Sequence, residues 1–160
     1  MTVPVHAQGL WSEYLSKVGD AAADRFYEAF GFGDSPAMAD ELGALVVAGI
    51  KRATAGAVWA YESAGQRLPR PGDLSVVLDA ANTPLCIIET LQVDLVAFGA
   101  VTAEFAAVEG EGDGSLAYWR QAHREYFTKE CERAGRPFST DMLLACERFR
   151  VVYPLPGESG

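Results

Sequence analysis

The chain has 160 residues, which is enough for one domain with its own hydrophobic core. Hydrophobic residues make up 49% of the sequence but never form a run of 18 or more, which argues against a membrane-spanning helix. The formal net charge of −9 disfavours non-specific binding of a long nucleic-acid strand, because such binding depends on Lys and Arg at the phosphates. A local basic groove would still allow RNA binding, so the charge favours a small ligand without excluding RNA.

The cysteines and the N-terminus indicate a reducing compartment. Cys86, Cys131 and Cys146 are odd in number and far apart, a pattern typical of reduced thiols rather than of a disulfide framework. The first residues also lack the basic start and apolar core of a secretory signal. We therefore expect a cytoplasmic protein that forms a single domain over residues 1–160, with its core at about residues 10–153.

Two helices are predicted in the N-terminal third of the chain. The first, over about residues 10–29, has apolar residues near helical spacing. These residues are Leu10, Tyr14, Val18, Phe26 and Phe30. The second helix begins with Ser35 as its N-cap and Pro36 at its first position, and Gly49 is the predicted stop.

Strands and further helices are predicted in the rest of the chain. Alternating side chains predict strands at about residues 74–79 and 85–93, joined by a turn at Asn82, and a last strand at about 143–153. A short helix is predicted at about 103–110 and a longer one from a Ser115 cap to Gly135. Hairpins, rather than strictly alternating strands and helices, predict an antiparallel or mixed sheet and an α+β fold that could close into a barrel.

The segment over residues 49–62 is the first candidate for chemistry. Lys51 and Thr54 are its functional groups, and the residues that flank them are small enough to let a ligand approach: Ala53, Ala55, Gly56 and Ala57. Desolvation lowers the pKa of a lysine and makes it a usable base, and a nearby hydroxyl then becomes a nucleophile. The same spacing also fits a solvated lysine and a hydroxyl at the end of a strand.

An acidic, glycine-rich turn is the second candidate. Glu109, Glu111 and Asp113 lie on it, next to the start of a helix, where the helix dipole alone would favour carboxylates. The functional interpretation is a carboxylate held over a pocket as a proton-transfer partner of Lys51. The aromatic residues of the following helix are read as core, except for Tyr118, whose face would allow stacking on a base. The core set is Trp119, Tyr126 and Phe127.

Metal and cofactor motifs are poorly represented. The sequence has two histidines, His6 and His123, without Cys-x-x-Cys or His-x-x-x-His spacing, and we read His123 as a packing or capping residue. Phosphate-binding glycine loops and the Gly-x-Ser-x-Gly elbow are also missing from the sequence. We therefore predict neither a metal nor a cofactor.

Several ordered motifs resemble the ASCH domain, a relative of the PUA RNA-binding fold. They are Gly49-x-Lys51-x-x-Thr54, the Pro-Gly-Asp of residues 71–73 before a strand, and Glu109 after an Ala-rich helix. Longer bacterial members also share the start at Trp11, Tyr14 and Leu15, the Phe-Gly-Asp at 32–34, Ala-Asp-Glu-Leu at 39–42 and Glu-Gly-Glu-Gly-Asp at 109–113. The resemblance spans roughly residues 10–153 and implies a small, mixed, PUA-like β-barrel flanked by helices.

The resemblance also implies a function for the two candidate segments. Characterised relatives include a small amidohydrolase that removes the acyl group from N(4)-acetylcytidine, and its lysine, threonine and glutamate match Lys51, Thr54 and Glu109. In the mechanism that we expect, Lys51 deprotonates Thr54 for attack on the amide, and Glu109 relays the proton to the leaving amine. In a variant, Glu109 activates water and Lys51 stabilises the oxyanion. The family's arginine two residues after the threonine is replaced by Gly56.

Other relatives bind RNA or act as ribonucleases, so a second reading stays open. In this reading, a cleft beside the lysine segment holds single-stranded RNA. The residues that contact the RNA are Lys51, Arg52, Trp59 and Tyr61. A third reading is a sensor that binds a modified base without chemistry. The predicted partners are accordingly a small nucleoside or, alternatively, single-stranded RNA. The flanking residues that we assign to substrate binding are Arg52, Trp59, Tyr61, Arg70, Glu111 and Arg120.

Overall fold

A five-stranded sheet lies at the centre of the fold over residues 2–155, the residues that this computed structural model describes. Its strands are β1 (Phe26–Phe30), β2 (Ala53–Ala57), β3 (Leu74–Leu78), β4 (Pro84–Ala97) and β5 (Leu143–Tyr153). They are ordered β1-β3-β4-β5-β2, with β1 parallel to β3 and the other pairs antiparallel. The predicted mixed sheet and α+β class are therefore confirmed.

Five α-helices flank this sheet in the described part of the chain. They are α1 (Gln8–Val18), α2 (Pro36–Val47), α3 (Val58–Ser63), α4 (Ala103–Glu109) and α5 (Leu116–Arg133). The two predicted serine caps are confirmed, since Ser35 accepts a hydrogen bond from the Met38 N–H and Ser115 accepts one from the Tyr118 N–H. None of the described helices is long and apolar enough to cross a membrane.

The predicted barrel is wrong, because the sheet does not close. Closure would require the two edge strands to pair, but in the described residues β1 pairs with β3 alone and β2 pairs with β5 alone. These edges lie at opposite ends of the strand order. The sheet is therefore an open, mostly antiparallel layer with helices packed against it.

The predicted helix over residues 10–29 is also wrong in its second half. Helix α1 ends at Val18, because Gly19 adopts φ 98° and ψ 154°, outside the helical region. A 3₁₀ turn over residues 20–25 follows, and Phe26 then begins strand β1. Phe26 is buried as a strand residue beside Leu74 of β3. Its position at helical spacing from Val18 was therefore a coincidence of the apolar pattern.

Helix α5 covers one face of the sheet with a continuous buried stripe. Trp119, His123, Phe127 and Cys131 are buried at intervals of four residues and so lie on the same side of the helix. Trp119 and Phe127 pack in one cluster with residues of β2 and β5. This packing brings the middle of α5 over the beginning of β2, and the candidate lysine comes just before that strand. All three cysteines are free and buried.

Candidate active site

Lys51 lies between α2 and β2, in a segment that backbone hydrogen bonds hold on both sides. Its N–H donates to the Leu45 carbonyl at 3.1 Å, and the Arg52 N–H donates to the Val108 carbonyl of α4 at 2.9 Å. The Arg52 carbonyl accepts from the Phe149 N–H of β5 at 3.0 Å. The backbone of Lys51 is thus fixed relative to α2, α4 and β5 before its side chain makes any contact.

Gly110 allows α4 to approach this segment closely. It ends α4 in the left-handed conformation (φ 67°), and a Cβ atom at this position would collide with the Ile50 carbonyl oxygen. Only glycine fits both demands. Glu109, the last residue of α4, is therefore carried directly next to Lys51.

The Lys51 ammonium is buried and donates three hydrogen bonds. Nζ lies 2.8 Å from the Ala53 carbonyl oxygen, 2.9 Å from Glu109 Oε2 and 2.8 Å from Glu111 Oε2. The lysine side chain is 1% exposed, and the Phe32 ring centroid lies 5.2 Å from Nζ. Since an ammonium has three N–H donors, all of them are engaged.

Glu109 is equally buried and receives donors from α5. Its Oε1 accepts a hydrogen bond from the Trp119 indole N–H at 2.7 Å. His123 Nε2 lies 3.2 Å from each of the two carboxylate oxygens. Together with Lys51, these contacts saturate the carboxylate.

His123 is held with oxygen acceptors at both ring nitrogens. Nδ1 lies 2.9 Å from the Trp119 carbonyl oxygen, which accepts only, while Nε2 faces the Glu109 carboxylate. Both acceptors receive a hydrogen bond when both ring nitrogens carry protons, which is the cationic form of His123. Burial opposes the charge and the Glu109 carboxylate favours it, with the result that the pKa of His123 is raised.

The mutual charges of this cluster set the pKa values of its members. Burial alone would lower the pKa of Lys51, but the charges of Glu109 and Glu111 outweigh it, and the pKa is raised. The expectation that desolvation would turn Lys51 into a base is therefore wrong. Burial would raise the pKa of Glu109, yet Lys51 and His123 hold it well below its usual value. Burial raises the pKa of Glu111 to about 7, with Glu109 adding to the rise and Lys51 opposing it.

Three of these side chains have the composition of a metal site. One ligand atom from each of Glu109, Glu111 and His123 lies within 4.8 Å of the others. The Lys51 ammonium, however, bonds to both carboxylates at 2.8 and 2.9 Å, and so occupies the place where a cation would meet them. The donor set therefore fits an internal ion cluster, and we call these four side chains the Lys51 cluster.

Two adjoining cavities open onto this region. The first, which we call the Lys51 pocket, has a volume of about 80 Å³ and is lined by Lys51, Glu109, Glu111 and His123 among others. The second, about 240 Å³, is called the Glu147 cleft after one of its lining residues. Thr54 of β2 lines both, and its hydroxyl has no hydrogen-bond partner among the described residues. The hydroxyl is thus free to bond a ligand.

The Glu147 cleft is lined by carboxylates and contains no lysine or arginine among its lining residues. Glu147, on β5 opposite Thr54, accepts a hydrogen bond from the Thr90 hydroxyl at 2.6 Å, and Glu28 accepts one from Gln66 at 3.2 Å. Burial raises the pKa of Glu147 to about 7 and also raises the pKa of Glu28. The cleft therefore suits neutral or hydrogen-bond-donating ligands better than phosphates.

The structure brings some of the predicted site residues together. Lys51, Glu109 and Glu111 are in direct contact, and Thr54 lines the same pocket. Tyr61 of α3 lines the Glu147 cleft, where its ring lies next to Gly56. A Cβ at Gly56 would lie 3.0 Å from the Tyr61 ring, so a larger residue would displace that ring.

Other predicted residues lie elsewhere. Trp59 packs against the core, with its indole N–H on Met142 Sδ at 3.2 Å and the Arg136 guanidinium 4.4 Å from its ring centroid. It lines neither of the two cavities. The three predicted arginines are exposed and also line neither cavity: Arg52, Arg70 and Arg120. The clamp for an anionic ligand is therefore missing from both cavities.

Sequence reasoning missed His123 and the acidic residues of the cleft. His123 was assigned to packing because it shares the apolar stripe of α5, and only the position of Glu109 reveals its second role. Glu28 and Glu147 lie on strands β1 and β5. Glu147 belonged to a predicted strand, where the alternation gave no reason to single it out. Its burial would have been visible only from the pairing of β5 with β2.

Comparison with known proteins gives consistent results. A family model described as ASCH domain matches residues 28–153. A crystal structure of an ASCH domain from Lactobacillus crispatus is 35% identical, with a TM-score of 0.86 over 94% of this chain and 96% of that chain. A crystal structure of a protein from Enterococcus faecalis is 34% identical, with a TM-score of 0.83 over 92% of this chain and 88% of that chain. No curated protein matches the chain significantly.

Proposed function

Because this chain belongs to the ASCH domain family, and because its site holds a buried lysine–carboxylate cluster beside an acidic cleft, we propose that it hydrolyses an N-acylated pyrimidine base or nucleoside. The ASCH superfamily is linked to both RNA-binding and hydrolase activity. A fold alone does not select between them. The charges around the two cavities favour the hydrolase.

The observation that carries the proposal is the charge distribution of the two cavities. Lys51 is the one cation of lysine or arginine type among their lining residues, and two carboxylates neutralise it. To bind a nucleic-acid strand, a protein needs lysines and arginines that are not already paired with carboxylates and can contact the phosphate backbone. An uncharged nucleoside needs none, and carboxylates can accept hydrogen bonds from its amino and hydroxyl groups.

The chemistry assigned to Lys51 follows from its protonated state. A lysine with a raised pKa is a poor base but a good fixed positive charge, so it stabilises the oxyanion that forms when the amide carbonyl is attacked. A carboxylate of the cluster takes the proton of the attacking group. Thr54 lines the pocket, and its hydroxyl, which has no partner among the described residues, orients the attacking water or the amide by a hydrogen bond.

The first test is an activity assay with N(4)-acetylcytidine, in which loss of the acyl group is followed by absorbance. We expect turnover by the natural protein and none above background for Lys51→Ala. Thr54→Val is the matched second variant, because it removes the hydroxyl while the shape of the side chain and the Lys51 cluster stay intact. We expect it to fold normally, as judged by circular dichroism, and to lose about tenfold or more in kcat/KM. Turnover that survives both substitutions would refute the proposal.

A phosphate on the substrate is expected to weaken the reaction. Two like charges about 4 Å apart repel by about 1 kcal/mol even in a water-like medium, so the 5′-monophosphate of N(4)-acetylcytidine should show at least about fivefold lower kcat/KM than the nucleoside. Kinetics with the two substrates at equal ionic strength measure this ratio. The Glu147→Gln variant should discriminate less between the two substrates, because it lacks one of the carboxylates that repel the phosphate. A preference for the phosphorylated substrate, or a steep loss of ligand binding with added salt, would favour the RNA reading.

A further inference from the structure

Glu109 and Glu111 both bond to Lys51 Nζ and both line the Lys51 pocket, but their side chains differ in exposure. The Glu109 side chain is 1% exposed and the Glu111 side chain is 12% exposed. Glu109 is enclosed by Trp119, His123 and Lys51, and each of these donors binds its carboxylate. Proton exchange with a ligand would require Glu109 to give up one of these contacts.

Glu111 stands at the edge of the same cluster. Its Oε2 accepts from Lys51 Nζ at 2.8 Å, and its side chain lines both the Lys51 pocket and a second groove of about 230 Å³ on the surface. It follows α4 by two residues, on the turn that leads to α5. A group in the pocket can therefore reach the Glu111 carboxylate without opening the interior of the cluster.

We infer that Glu111 is the catalytic residue that exchanges protons with the substrate, and that Glu109, together with His123, is a positioning residue that holds the Lys51 ammonium in place. This inference rests on the proposed amide hydrolysis and assigns its proton-transfer step. It also moves that step away from Glu109, the residue that the family resemblance singles out.

The assigned reaction is balanced by one proton that Glu111 takes and returns. The oxygen of a water molecule forms a bond to the carbonyl carbon of the amide while one water proton moves to the Glu111 carboxylate. The carbonyl oxygen becomes an oxyanion. The carbon–nitrogen bond then breaks, the proton on Glu111 passes to the leaving exocyclic nitrogen, and a carboxylic acid and a free amine result.

The bond between Glu111 and Lys51 links proton transfer to oxyanion stabilisation. As Glu111 takes up the proton it loses its negative charge, and its hold on one N–H of Lys51 weakens. That N–H can then turn to the oxyanion that forms at the same moment. Glu109, which keeps its charge and its donors from α5, continues to hold the ammonium during this exchange.

The charged groups around Glu111 determine how its proton affinity responds to substitution. Glu109 raises it and Lys51 and His123 lower it. The charged residues that line the adjoining groove with it are Asp34, Glu41, Glu125 and Lys129. Because Glu109 and Glu111 are neighbours in one cluster, substitution of either one changes the other, and the experiment compares matched variants.

Glu109→Gln and Glu111→Gln form the matched pair, because each replaces one carboxylate bonded to Lys51 by a neutral amide of the same shape. For Glu111→Gln we expect kcat to fall by about 100-fold or more, and the pH–rate profile to lose the ascending limb that reports a base near neutral pH. For Glu109→Gln the limb should persist, shifted to lower pH because a neighbouring negative charge is gone. A limb that persists in Glu111→Gln and disappears in Glu109→Gln would overturn the inference.

Chemical rescue gives a readout that a merely structural residue would not show. Glu111→Ala leaves a space that opens to the pocket, so added formate or acetate should restore part of the activity. Glu109→Ala leaves a space that also borders the Lys51 pocket but is enclosed by Trp119, His123 and Lys51, so we expect a weaker response. Rescue of Glu109→Ala, with no rescue of Glu111→Ala, contradicts the assignment.

A carboxyl titration separates failure of this inference from failure of the proposed function. In protein labelled with ¹³C at the glutamate carboxyl carbons, assigned with the two glutamine variants, we expect the Glu111 signal to titrate near neutral pH and the Glu109 signal to stay that of a carboxylate down to acidic pH. Absence of turnover by the natural protein overturns the amide hydrolysis alone. Titration of Glu109 near neutral pH, with Glu111 ionised throughout, overturns the proton-exchange role whatever the substrate is.

Discussion

Replacing Lys51 with methionine is expected to lower the free energy of unfolding by about 3–5 kcal/mol at neutral pH, the range observed when one partner of a buried ion pair is removed. Methionine fills much of the aliphatic volume but donates no hydrogen bond. The Glu109 carboxylate, 1% exposed, and the Ala53 carbonyl oxygen would then lose a donor that lies within 2.9 Å of each. Denaturant unfolding of both proteins at pH 7 measures the difference.

Two controls distinguish this effect from an ordinary surface substitution. Arg52→Met changes the exposed neighbour of Lys51 and should shift the unfolding free energy by about 0.5 kcal/mol or less. The double variant Lys51→Met with Glu109→Gln removes both charges and should be less destabilised than the sum of the single variants. If Lys51→Met unfolds at the same denaturant concentration as Arg52→Met, the hydrogen bonds of Lys51 to the buried cluster do not stabilise the fold.

The difference in unfolding free energy between the natural protein and Lys51→Met should decrease in acid. The pKa of Glu109 is held well below its ordinary value of 4.5 by Lys51 and His123, against the effect of burial. A group with a depressed pKa stabilises the fold above its ordinary pKa, and this contribution is lost as the pH falls through the folded-state value. The gap between the natural protein and Lys51→Met should therefore be full at pH 7 and should shrink in acid below 4.5.

Local chemistry in the sequence predicted the starts of α2 and α5 well. Ser35 and Ser115 cap their helices because a hydroxyl and the N–H three residues later are close in any chain that turns helical there. Strand β1 could not be read in the same way, since Phe26 and Phe30 fit helical spacing and strand alternation equally well. Only pairing with β3 decided between them.

Strand β2 shows the same limit at the site itself. Four of its five residues, 53–57, are alanine or glycine, which have little tendency to form a strand, and only Thr54 favours one. They become one because β5 is alongside. The sequence could mark Lys51 and Thr54 as unusual, but the position of Thr54 opposite Glu147 depends on this long-range pairing.

The chemistry of Lys51 was misjudged for a related reason. Burial by itself predicts a lowered pKa, and the carboxylate that reverses this is 58 residues away in the chain. The sequence did place Glu109 and Glu111 on one turn near a pocket. Their unequal enclosure depends on Trp119 and His123 of α5, which the sequence assigned to the core or to capping.

Replacing Glu147 with glutamine is expected to stabilise the protein at alkaline pH. Burial raises the pKa of Glu147 from 4.5 to about 7, with Glu28 and Asp73 adding to the rise and the Thr90 hydrogen bond opposing it. A raised carboxyl pKa means that the favourable contribution is present in full below 4.5 and is lost as the pH rises through about 7. Above that pH the natural protein carries an ionised carboxylate in a poorly solvated cleft, at a cost of about 3 kcal/mol.

Glutamine removes this cost, because its amide stays neutral and its carbonyl oxygen can still accept from the Thr90 hydroxyl. Unfolding measured at pH 4.5 and pH 8.5 should show similar stability of the two proteins in acid and a gain of about 3 kcal/mol for Glu147→Gln in base. Glu104→Gln is the matched control, since the Arg148 hydrogen bonds lower the pKa of that exposed glutamate and no alkaline gain should follow. Equal stability of Glu147→Gln and the natural protein at pH 8.5 would mean that Glu147 is well solvated, and the cleft would then discriminate less against phosphate than its lining residues suggest.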